Sequence, residues 1–551
     1  MITKKITFII LFTIIVLATV IRLWQLGAVP PSPDWDEAAL GYNAYSIMQT
    51  GKDEYGQFLP LILRSFDDYK PALYAYFIIP FVKILGLNIV SVRLPSVLFG
   101  IVSVLATYFL VKELLRGKYS EYFALLSSFL LAISPWNIQF SRVAFEAQTG
   151  LAFNILSLLF FLKGLRKPQL LFLSAFFAGL SVYVYQSEKV YLPIFFLVLF
   201  LIYKREIFSV SKKWLIGSVL FGLLIVFPMF YSLLTNQGVL LRAKGVSVFS
   251  DQTQFLKRNA QKYAYSQEKK DYLGILLDNR RVEYPKAIIS GYISHFDFNW
   301  LFITGDIERH HAPFMGLLYL FELPFLLIGI YKIIFGEFPK KGKLTIFAIL
   351  LVAPIPASIT SGVPHAVRTI NFLPTFQIFT AVGLIAVFMQ SRNWKSYIRG
   401  VFYTPFCVIF IFNFSYFLNQ YFIQQNYYYS KSWQYGYRQA IDFIKPIMKN
   451  YNSIVVSNQP PLDQSYIFFL FYLQYDPFLY QKASGTVSGG FAQDHKGFEN
   501  ITFRPIRWDD EKKDSKVLFV GRPGDFTSSP KILEKIFYLD GNDAITIGVK
   551  E

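Results

Sequence analysis

The sequence predicts an all-α polytopic membrane protein that carries a small α/β domain at its C-terminal end. Of the 551 residues, 54% are hydrophobic and only 16% are charged, which excludes an ordinary soluble enzyme. Apolar runs long enough to span a bilayer recur from Ile6 to Tyr421. Beyond Tyr421 the composition changes, because 15 Lys and Arg residues are balanced there by 14 Asp and Glu residues.

The net charge of +18 resembles that of a nucleic-acid-binding protein until it is divided along the chain. Residues 1–420 hold 39 Lys and Arg against 22 Asp and Glu, so the excess belongs to the membrane part and predicts no nucleic-acid partner. The single cysteine, Cys407, lies inside an apolar run. It allows no intrachain disulfide and no cysteine-based zinc site, and redox chemistry is not expected.

Eleven membrane spans are predicted. The first run, Ile6 to Leu23, follows Lys4-Lys5 but lacks a small-residue cleavage site, so we interpret it as an uncleaved span. The spans lie near residues 6–23, 93–111, 120–136, 148–162, 168–185, 190–203, 214–234, 314–331, 344–361, 369–389 and 400–421.

The orientation follows from basic clusters in alternate short loops, which the positive-inside rule makes cytoplasmic. The segment 72–87 is apolar but short, broken by Pro80 and interrupted by Lys83. Counting it as a span would invert every later loop, so it is predicted to be an interfacial re-entrant helix. The N-terminus is then cytoplasmic, the membrane is the plasma membrane, and the outer face receives residues 24–92, 137–147, 235–313, 362–368 and everything after Tyr421.

Two domains are predicted, a transmembrane domain over 1–421 and an extracytoplasmic α/β domain over 422–551. The second contains a helical pattern at 434–449. Its β-like runs are Ser453–Ser457, Val517–Gly521 and Ala544–Val549.

The outer loop 24–92 is unusually acidic for a segment beside a membrane. Asp36 and Glu37 precede a helix-compatible stretch, and capping of that helix is the simplest interpretation of such a pair in isolation. The same face is predicted to hold Lys70, Arg93, Arg142 and Glu146. Carboxylates can deprotonate an acceptor hydroxyl or hold a divalent ion, and basic groups can receive a phosphate leaving group. For the basic residues, snorkelling at span ends is the alternative.

The order DE, then K-P-x-L-Y, then V-R-L-P-S, then R-x-x-x-E resembles the GT-C superfamily of polyprenyl-phosphate-sugar transferases. Within it, the pattern is similar to the group of protein O-mannosyltransferases and lipid A aminoarabinose transferases. The resemblance covers residues 1–165 and extends beyond them only in hydropathy and topology. It implies a GT-C-like catalytic domain over 1–421.

The resemblance also implies roles for individual residues. Asp36 takes the place of the catalytic base, Glu37 that of its acidic neighbour, Lys70 that of the donor-phosphate lysine and Glu146 that of the second-loop acid. Two positions depart from the family pattern: Ala72 replaces the second proline of K-P-P, and the second-loop acid is Glu where relatives usually have Asp. Glu is one methylene longer than Asp, and the resemblance implies that Glu146 orients an acceptor or a metal.

A divalent metal ion is a candidate cofactor. Its candidate ligands are Asp36, Glu37, His310 and His311, and Asp297 or Asp306 could join the histidines. Adjacent side chains such as His310 and His311 seldom converge on one ion, so hydrogen-bonded interfacial histidines are the alternative.

The function predicted from these features is that of a membrane glycosyltransferase, transferring a hexosyl, pentosyl or mannosyl group. The donor is a polyprenyl-phosphate-linked sugar, the acceptor is a protein, glycan or lipid at the outer face, and membrane lipids surround the protein. Asp36 takes the acceptor proton in an inverting displacement, while Lys70 stabilises the departing phosphate together with Arg93, Arg142 or Arg368. A transporter or flippase is the alternative. Such proteins need polar groups inside their membrane spans, and here Glu322 is the one acidic residue well inside a predicted span.

Overall fold

The computed structural model describes residues 3–66, 68–235, 247–248, 253–483, 485–486, 495–528 and 530–551. The first half of the chain is helical apart from one hairpin. Its helices are α1 (Lys4–Leu23), α2 (Trp35–Thr50), α3 (Leu73–Leu85), α4 (Ile89–Leu114), α5 (Ser120–Ile133), α6 (Pro135–Arg142), α7 (Ala147–Gly164), α8 (Leu171–Ser181), α9 (Glu188–Ser209) and α10 (Lys212–Thr235). The hairpin consists of β1 (Ile62–Ser65) and β2 (Asp68–Pro71).

The second half continues the helical part and ends in a sheet. Its helices are α11 (Thr253–Glu268), α12 (Tyr272–Leu277), α13 (Arg280–Ser294), α14 (Glu322–Phe335), α15 (Lys340–Val352), α16 (Ile355–Ser358), α17 (Thr375–Ser391), α18 (Ser396–Asn419), α19 (Gln425–Tyr429), α20 (Tyr437–Ile444), α21 (Ser465–Leu473) and α22 (Pro477–Lys482). Its strands are β3 (Ser453–Val456), β4 (His495–Phe498), β5 (Ile501–Phe503), β6 (Asp514–Gly521), β7 (Lys531–Phe537) and β8 (Asp543–Lys550).

The predicted membrane part is confirmed in character but not in its count of eleven spans. Among the described residues, seven helices are long and apolar enough to cross a membrane, or eight if α5 and α6, bent by 56°, form one span. Three predicted spans account for the difference. The runs near 168–185 and 314–331 form helices too short to qualify, and α9 carries Lys204, Arg205 and Glu206 in its last turns.

The segment 72–87 forms a helix with Pro80 inside it, α3, which is short and apolar. Its helical character agrees with the prediction. That it returns to the outer face without crossing stays a prediction.

The C-terminal part is a mixed six-stranded sheet in the order β4-β5-β3-β6-β8-β7. Strand β3 pairs in parallel with both β5 and β6, and the other pairs are antiparallel. All three predicted β-like runs lie in this sheet, as β3, β6 and β8, and the predicted helix is present as α20. The sequence patterns did not indicate β4, β5, β7, α21 or α22.

Helix α2 is held between the membrane helices and the C-terminal part. A Cβ at Gly41 would lie 2.7 Å from side-chain atoms of both Val92 on α4 and Phe471 on α21. Glycine therefore allows this close approach on both sides. One hydrophobic cluster joins α2 and α3 to the helices and strands of the C-terminal part, so the segment between α1 and α4 shares a core with the sheet.

Candidate active site

The first turn of α2 sets the geometry of the site. Asp34, the residue before the helix, has an extended backbone, and its Oδ1 accepts a hydrogen bond from the Glu37 backbone N–H at 2.8 Å. Asp34 is therefore the N-cap, which satisfies one of the free amides at the helix start. The capping interpretation of Asp36 and Glu37 is thus replaced, because both residues lie inside the first turn with their carboxylates directed elsewhere.

Asp36 and Lys70 form an ion pair between α2 and the β1–β2 hairpin. The Lys70 side chain is 9% exposed, whereas that of Asp36 is 37% exposed. The two residues that the sequence assigned to proton transfer and to phosphate binding are therefore in direct contact. The carboxylate is also the part of the pair that remains open to solvent or to a ligand.

Glu37, by contrast, is buried and bonded inside the protein. Arg93 donates to it from Nε at 2.9 Å and from Nη2 at 2.8 Å, and the Ala144 N–H donates to Oε1 at 2.8 Å. The two side chains are 1% and 0% exposed. A bidentate pair of this kind fixes orientation as well as charge. It ties α2 to α4 and to the segment between α6 and α7.

Arg93 uses its remaining donors on the chain that enters α2. Nη1 donates to the carbonyls of Leu26 and Pro30, each at 3.0 Å, and Nη2 donates to the Ser32 carbonyl at 2.9 Å. Together with the two bonds to Glu37, these contacts engage all five guanidinium N–H groups. The arrangement favours a positioning role for Arg93 over contact with a donor phosphate.

Arg142 is enclosed in a similar way. Its Nη1 donates to the carbonyls of Ile21 and Arg22 at the end of α1, and its Nη2 donates to the Val29 carbonyl at 3.0 Å. The guanidinium also lies 4.7 Å from the ring centre of Phe422. Arg142 has no exposed surface, and its hydrogen bonds hold the end of α1 in place.

Glu146 lies directly before α7, and the residue is 9% exposed. The ring of Phe145 beside it packs edge-on against His310, with 5.5 Å between ring centres. The segment that carries Glu146 therefore contacts both the loop before α14 and Glu37.

Two residues that the sequence patterns did not single out complete the surroundings of Asp36. Arg309 donates from Nη1 to Asp34 Oδ2 at 2.7 Å and stacks over Trp35 at 4.5 Å. Burial raises the pKa of Asp34 to about 6, and the carboxylates of Asp36 and Glu37 push it the same way, while Arg309 opposes the shift. The position of Asp34 three residues before Glu37 is typical of a helix N-cap and could have identified it. No sequence pattern places Arg309 opposite Asp34.

Four histidines lie in two loop regions of the chain: His295, His310, His311 and His365. Among the described residues, one group could hold a metal ion: Asp306, His310 and His365, whose ligand atoms lie within 4.8 Å of one another. Of the predicted metal ligands, only His310 and Asp306 belong to it. Asp36, Glu37 and Asp297 are not in the group, and His311 Nδ1 instead bonds the Ala312 carbonyl.

The electrostatics of this group favour an ionised carboxylate among neutral imidazoles. Burial alone would raise the pKa of Asp306, but the hydrogen bond from His310 and the nearby histidines lower it to about 2. Burial lowers the pKa of His310 and of His365.

The two remaining predicted polar positions have local partners. Arg368 donates from Nη1 to the Thr360 hydroxyl at 2.6 Å and to the Ser361 carbonyl at 2.7 Å. Glu322 is fully buried and accepts a hydrogen bond from the Thr380 hydroxyl at 3.3 Å. The partner of Glu322 is thus a hydroxyl group on α17, which suits a structural role.

Comparisons with known proteins match part of the sequence and the fold. Residues 69–231 match the family model described as dolichyl-phosphate-mannose-protein mannosyltransferase. This stretch includes Lys70, Arg93, Arg142 and Glu146 but begins after Asp36. No curated protein matches the chain in sequence.

Two solved structures share the fold. ArnT from Cupriavidus metallidurans bound to undecaprenyl phosphate superposes with a TM-score of 0.53 at 12% identity, over 100% of this chain and 99% of that one. The oligosaccharyltransferase AglB from Archaeoglobus fulgidus, in complex with an inhibitory peptide and a dolichol-phosphate, superposes with a TM-score of 0.50 at 12% identity, over 85% of this chain. The present chain spans 63% of the length of that AglB chain.

The chain is thus a helical membrane protein with a small C-terminal sheet domain, and it shares its fold with ArnT and AglB. The family match over residues 69–231 and the shared fold confirm the resemblance to the GT-C superfamily that the motifs predicted.

Proposed function

We propose that this protein transfers a sugar from a polyprenyl phosphate carrier to an acceptor at the outer face of the plasma membrane. The contact between Asp36 and Lys70 carries the proposal, since it joins a partly exposed carboxylate to a buried ammonium group. Such a pair supplies both a proton acceptor and a partner for a leaving phosphate. The N-terminus would be cytoplasmic and the sheet domain extracytoplasmic.

The reaction would be a single displacement. An acceptor oxygen attacks the anomeric carbon, its proton passes to Asp36, and the bond from that carbon to the phosphate oxygen breaks with inversion. The phosphate leaves with an additional negative charge, which Lys70 stabilises. Donor binding would thus shift Lys70 from Asp36 to the phosphate and leave the carboxylate ready to accept a proton.

The surrounding residues would position these two groups. Glu37, with Arg93, fixes the first turn of α2, and Arg142 fixes the end of α1. Glu146 would orient the acceptor. Arg368 stays a proposed second phosphate contact, because its guanidinium is half-buried and held by Thr360 and Ser361 alone among the described hydrogen bonds.

An apolar cavity among the membrane helices supports a lipid-borne donor. It has a volume of about 670 Å³ and lies among α7, α8, α9 and α10, with Lys189 as its single charged lining residue. Lys189 donates to the Gln186 side chain, which in turn donates to the Tyr69 carbonyl next to Lys70. Two hydrogen bonds thus connect a residue that lines the cavity to the strand that carries Lys70, and an isoprenoid chain would fill the apolar cavity.

The test is donor consumption by the purified protein. It would be incubated with mannose, glucose and arabinose linked to undecaprenyl or dolichyl phosphate, together with peptide, glycan and lipid acceptors. We expect one donor to lose its sugar with wild type and not with Asp36→Asn. Consumption of no donor, or equal consumption by both proteins, would contradict the proposal.

A further inference from the structure

Outside the proposed reaction site, two histidines and one carboxylate converge from two outer loops. Asp306 and His310 belong to the loop that precedes α14, and His365 belongs to the loop between α16 and α17. One ligand atom from each lies within 4.8 Å of the others. The Asp306 and His310 side chains are each 6% exposed.

The spacing within this group resembles that of ligands on one ion. Asp306 Oδ2 and His310 Nδ1 are 3.0 Å apart. Two ligand atoms on a tetrahedral zinc ion at about 2.0–2.1 Å from the metal lie about 3.3 Å apart. An ion would therefore replace the proton that the two groups share, and His365 would need to approach by at most about 1.5 Å, which side-chain rotation can supply.

His365 provides an independent observation. Its Nδ1 is buried and makes no hydrogen bond to any described residue. Leaving a buried polar atom without a partner is destabilising. Coordination of a cation by Nδ1 would remove this penalty.

The backbone and the neighbouring side chains hold the ligands in place. Asp306 accepts hydrogen bonds from the backbone N–H groups of Ile307 at 2.8 Å and Ala366 at 2.5 Å. His295 contacts the Gly291 carbonyl through Nδ1 at 2.6 Å and accepts from the His365 backbone N–H at 3.2 Å. Hydrogen bonds of this kind orient the ligands around protein-bound metals.

We propose that Asp306, His310 and His365 bind one zinc-like divalent transition-metal ion. One carboxylate and two imidazoles form a donor set suited to such an ion, and a water molecule would take the fourth position. The ion fastens the loop before α14 to the loop after α16. Because Arg309 is adjacent to His310 and pairs with Asp34, the ion also positions the guanidinium that neutralises the α2 cap.

The test uses the full chain without an affinity tag, stripped with a chelator and then titrated with Zn²⁺ or Co²⁺. We expect wild type to retain about one equivalent of zinc after gel filtration and to show the visible absorption of tetrahedral Co²⁺. His365→Gln and Asp306→Asn should bind at least about 100-fold more weakly. His311→Gln is the matched control, since it changes the adjacent histidine outside the group and should bind as wild type does.

Thermal unfolding in detergent separates metal loss from misfolding. Zn²⁺ should raise the melting temperature of wild type and of His311→Gln but not that of a folded His365→Gln. If His311→Gln does not fold, Asp297→Asn serves as the control. Binding of no stoichiometric metal by wild type, or equally tight binding by a folded His365→Gln, would overturn the proposal.

Discussion

Asp36 and Glu37 are neighbours in sequence but have opposite surroundings. Adjacent residues on a helix point about 100° apart, so the Asp36 side chain is 37% exposed while that of Glu37 is 1% exposed. The motif predicted an acidic pair at the start of a helix. It could not predict which carboxylate is buried, because that depends on Arg93, 56 residues further along the chain.

The burial of Glu37 predicts a stability defect. Glu37→Gln removes the charge that compensates Arg93, and leaving one partner of a buried ion pair typically costs about 3–5 kcal/mol. We expect a clear fall in the melting temperature of Glu37→Gln in detergent, whereas Asp36→Asn should melt as wild type does. Equal melting temperatures for Glu37→Gln and wild type would show that the pair with Arg93 is not needed for folding.

Lys70 is predicted to act on the donor phosphate. In Lys70→Ala the leaving group has no cation beside it, and turnover should fall by about 10²-fold or more. Lys83→Ala removes an exposed lysine from the neighbouring helix α3 and should leave turnover unchanged. Measurement of donor consumption by both variants decides between phosphate binding and snorkelling, and near-normal turnover of Lys70→Ala would favour snorkelling.

Helix α2 is positioned by the segment that precedes it in the chain. Arg93 and Arg142 donate hydrogen bonds to backbone carbonyl groups within residues 21–32. These bonds fix the path of the chain that leads to the α2 cap. The sequence predicts their positions near span ends and indicates two roles for them, phosphate binding or snorkelling. A guanidinium enclosed by backbone carbonyls is a third outcome, and it depends on non-local contacts that no sequence spacing reveals.

The α2 cap is predicted to make stability depend on pH. The pKa of Asp34 rises from its ordinary value of 3.8 to about 6 because the carboxyl is buried. Folding therefore favours the protonated form, and the resulting stabilisation is full below about pH 3.8 and is lost as the pH rises through about 6. Asp34→Asn keeps a good cap but does not titrate.

The melting temperatures of wild type and Asp34→Asn should be compared between pH 4 and 7. We expect wild type to lose stability relative to the variant as the pH rises. A constant difference across this range would show that Asp34 does not titrate as its burial indicates.

At the scale of the whole molecule, the sequence predicted the helical membrane part and the strands β3, β6 and β8. Long apolar runs and β-branched runs are local signals, so these elements could be recognised. The shared core between α2, α3 and the sheet could not, because close packing such as that of Gly41 against Phe471 joins residues from opposite ends of the chain.

The predicted topology can be tested by cysteine labelling in a Cys407→Ala background. Single cysteines would replace three exposed residues, Leu85 at the end of α3, Lys395 in a predicted cytoplasmic loop, and Lys512 beside the sheet. An impermeant maleimide should label positions 85 and 512 in intact cells, and position 395 only after permeabilisation. Labelling of position 85 from the cytoplasmic side alone would contradict the re-entrant assignment and separate Lys70 from the outer face.

The central claim is that Asp36 accepts the proton of the acceptor. Asp36→Asn preserves the shape of the side chain but cannot accept that proton, so turnover of a polyprenyl-phosphate sugar should fall by about 10²-fold or more. The most direct measurement is that turnover, determined beside the melting temperature of the same preparation. We expect a large loss of turnover at an unchanged melting temperature. Retention of most of the activity, or a loss that accompanies unfolding, would contradict it.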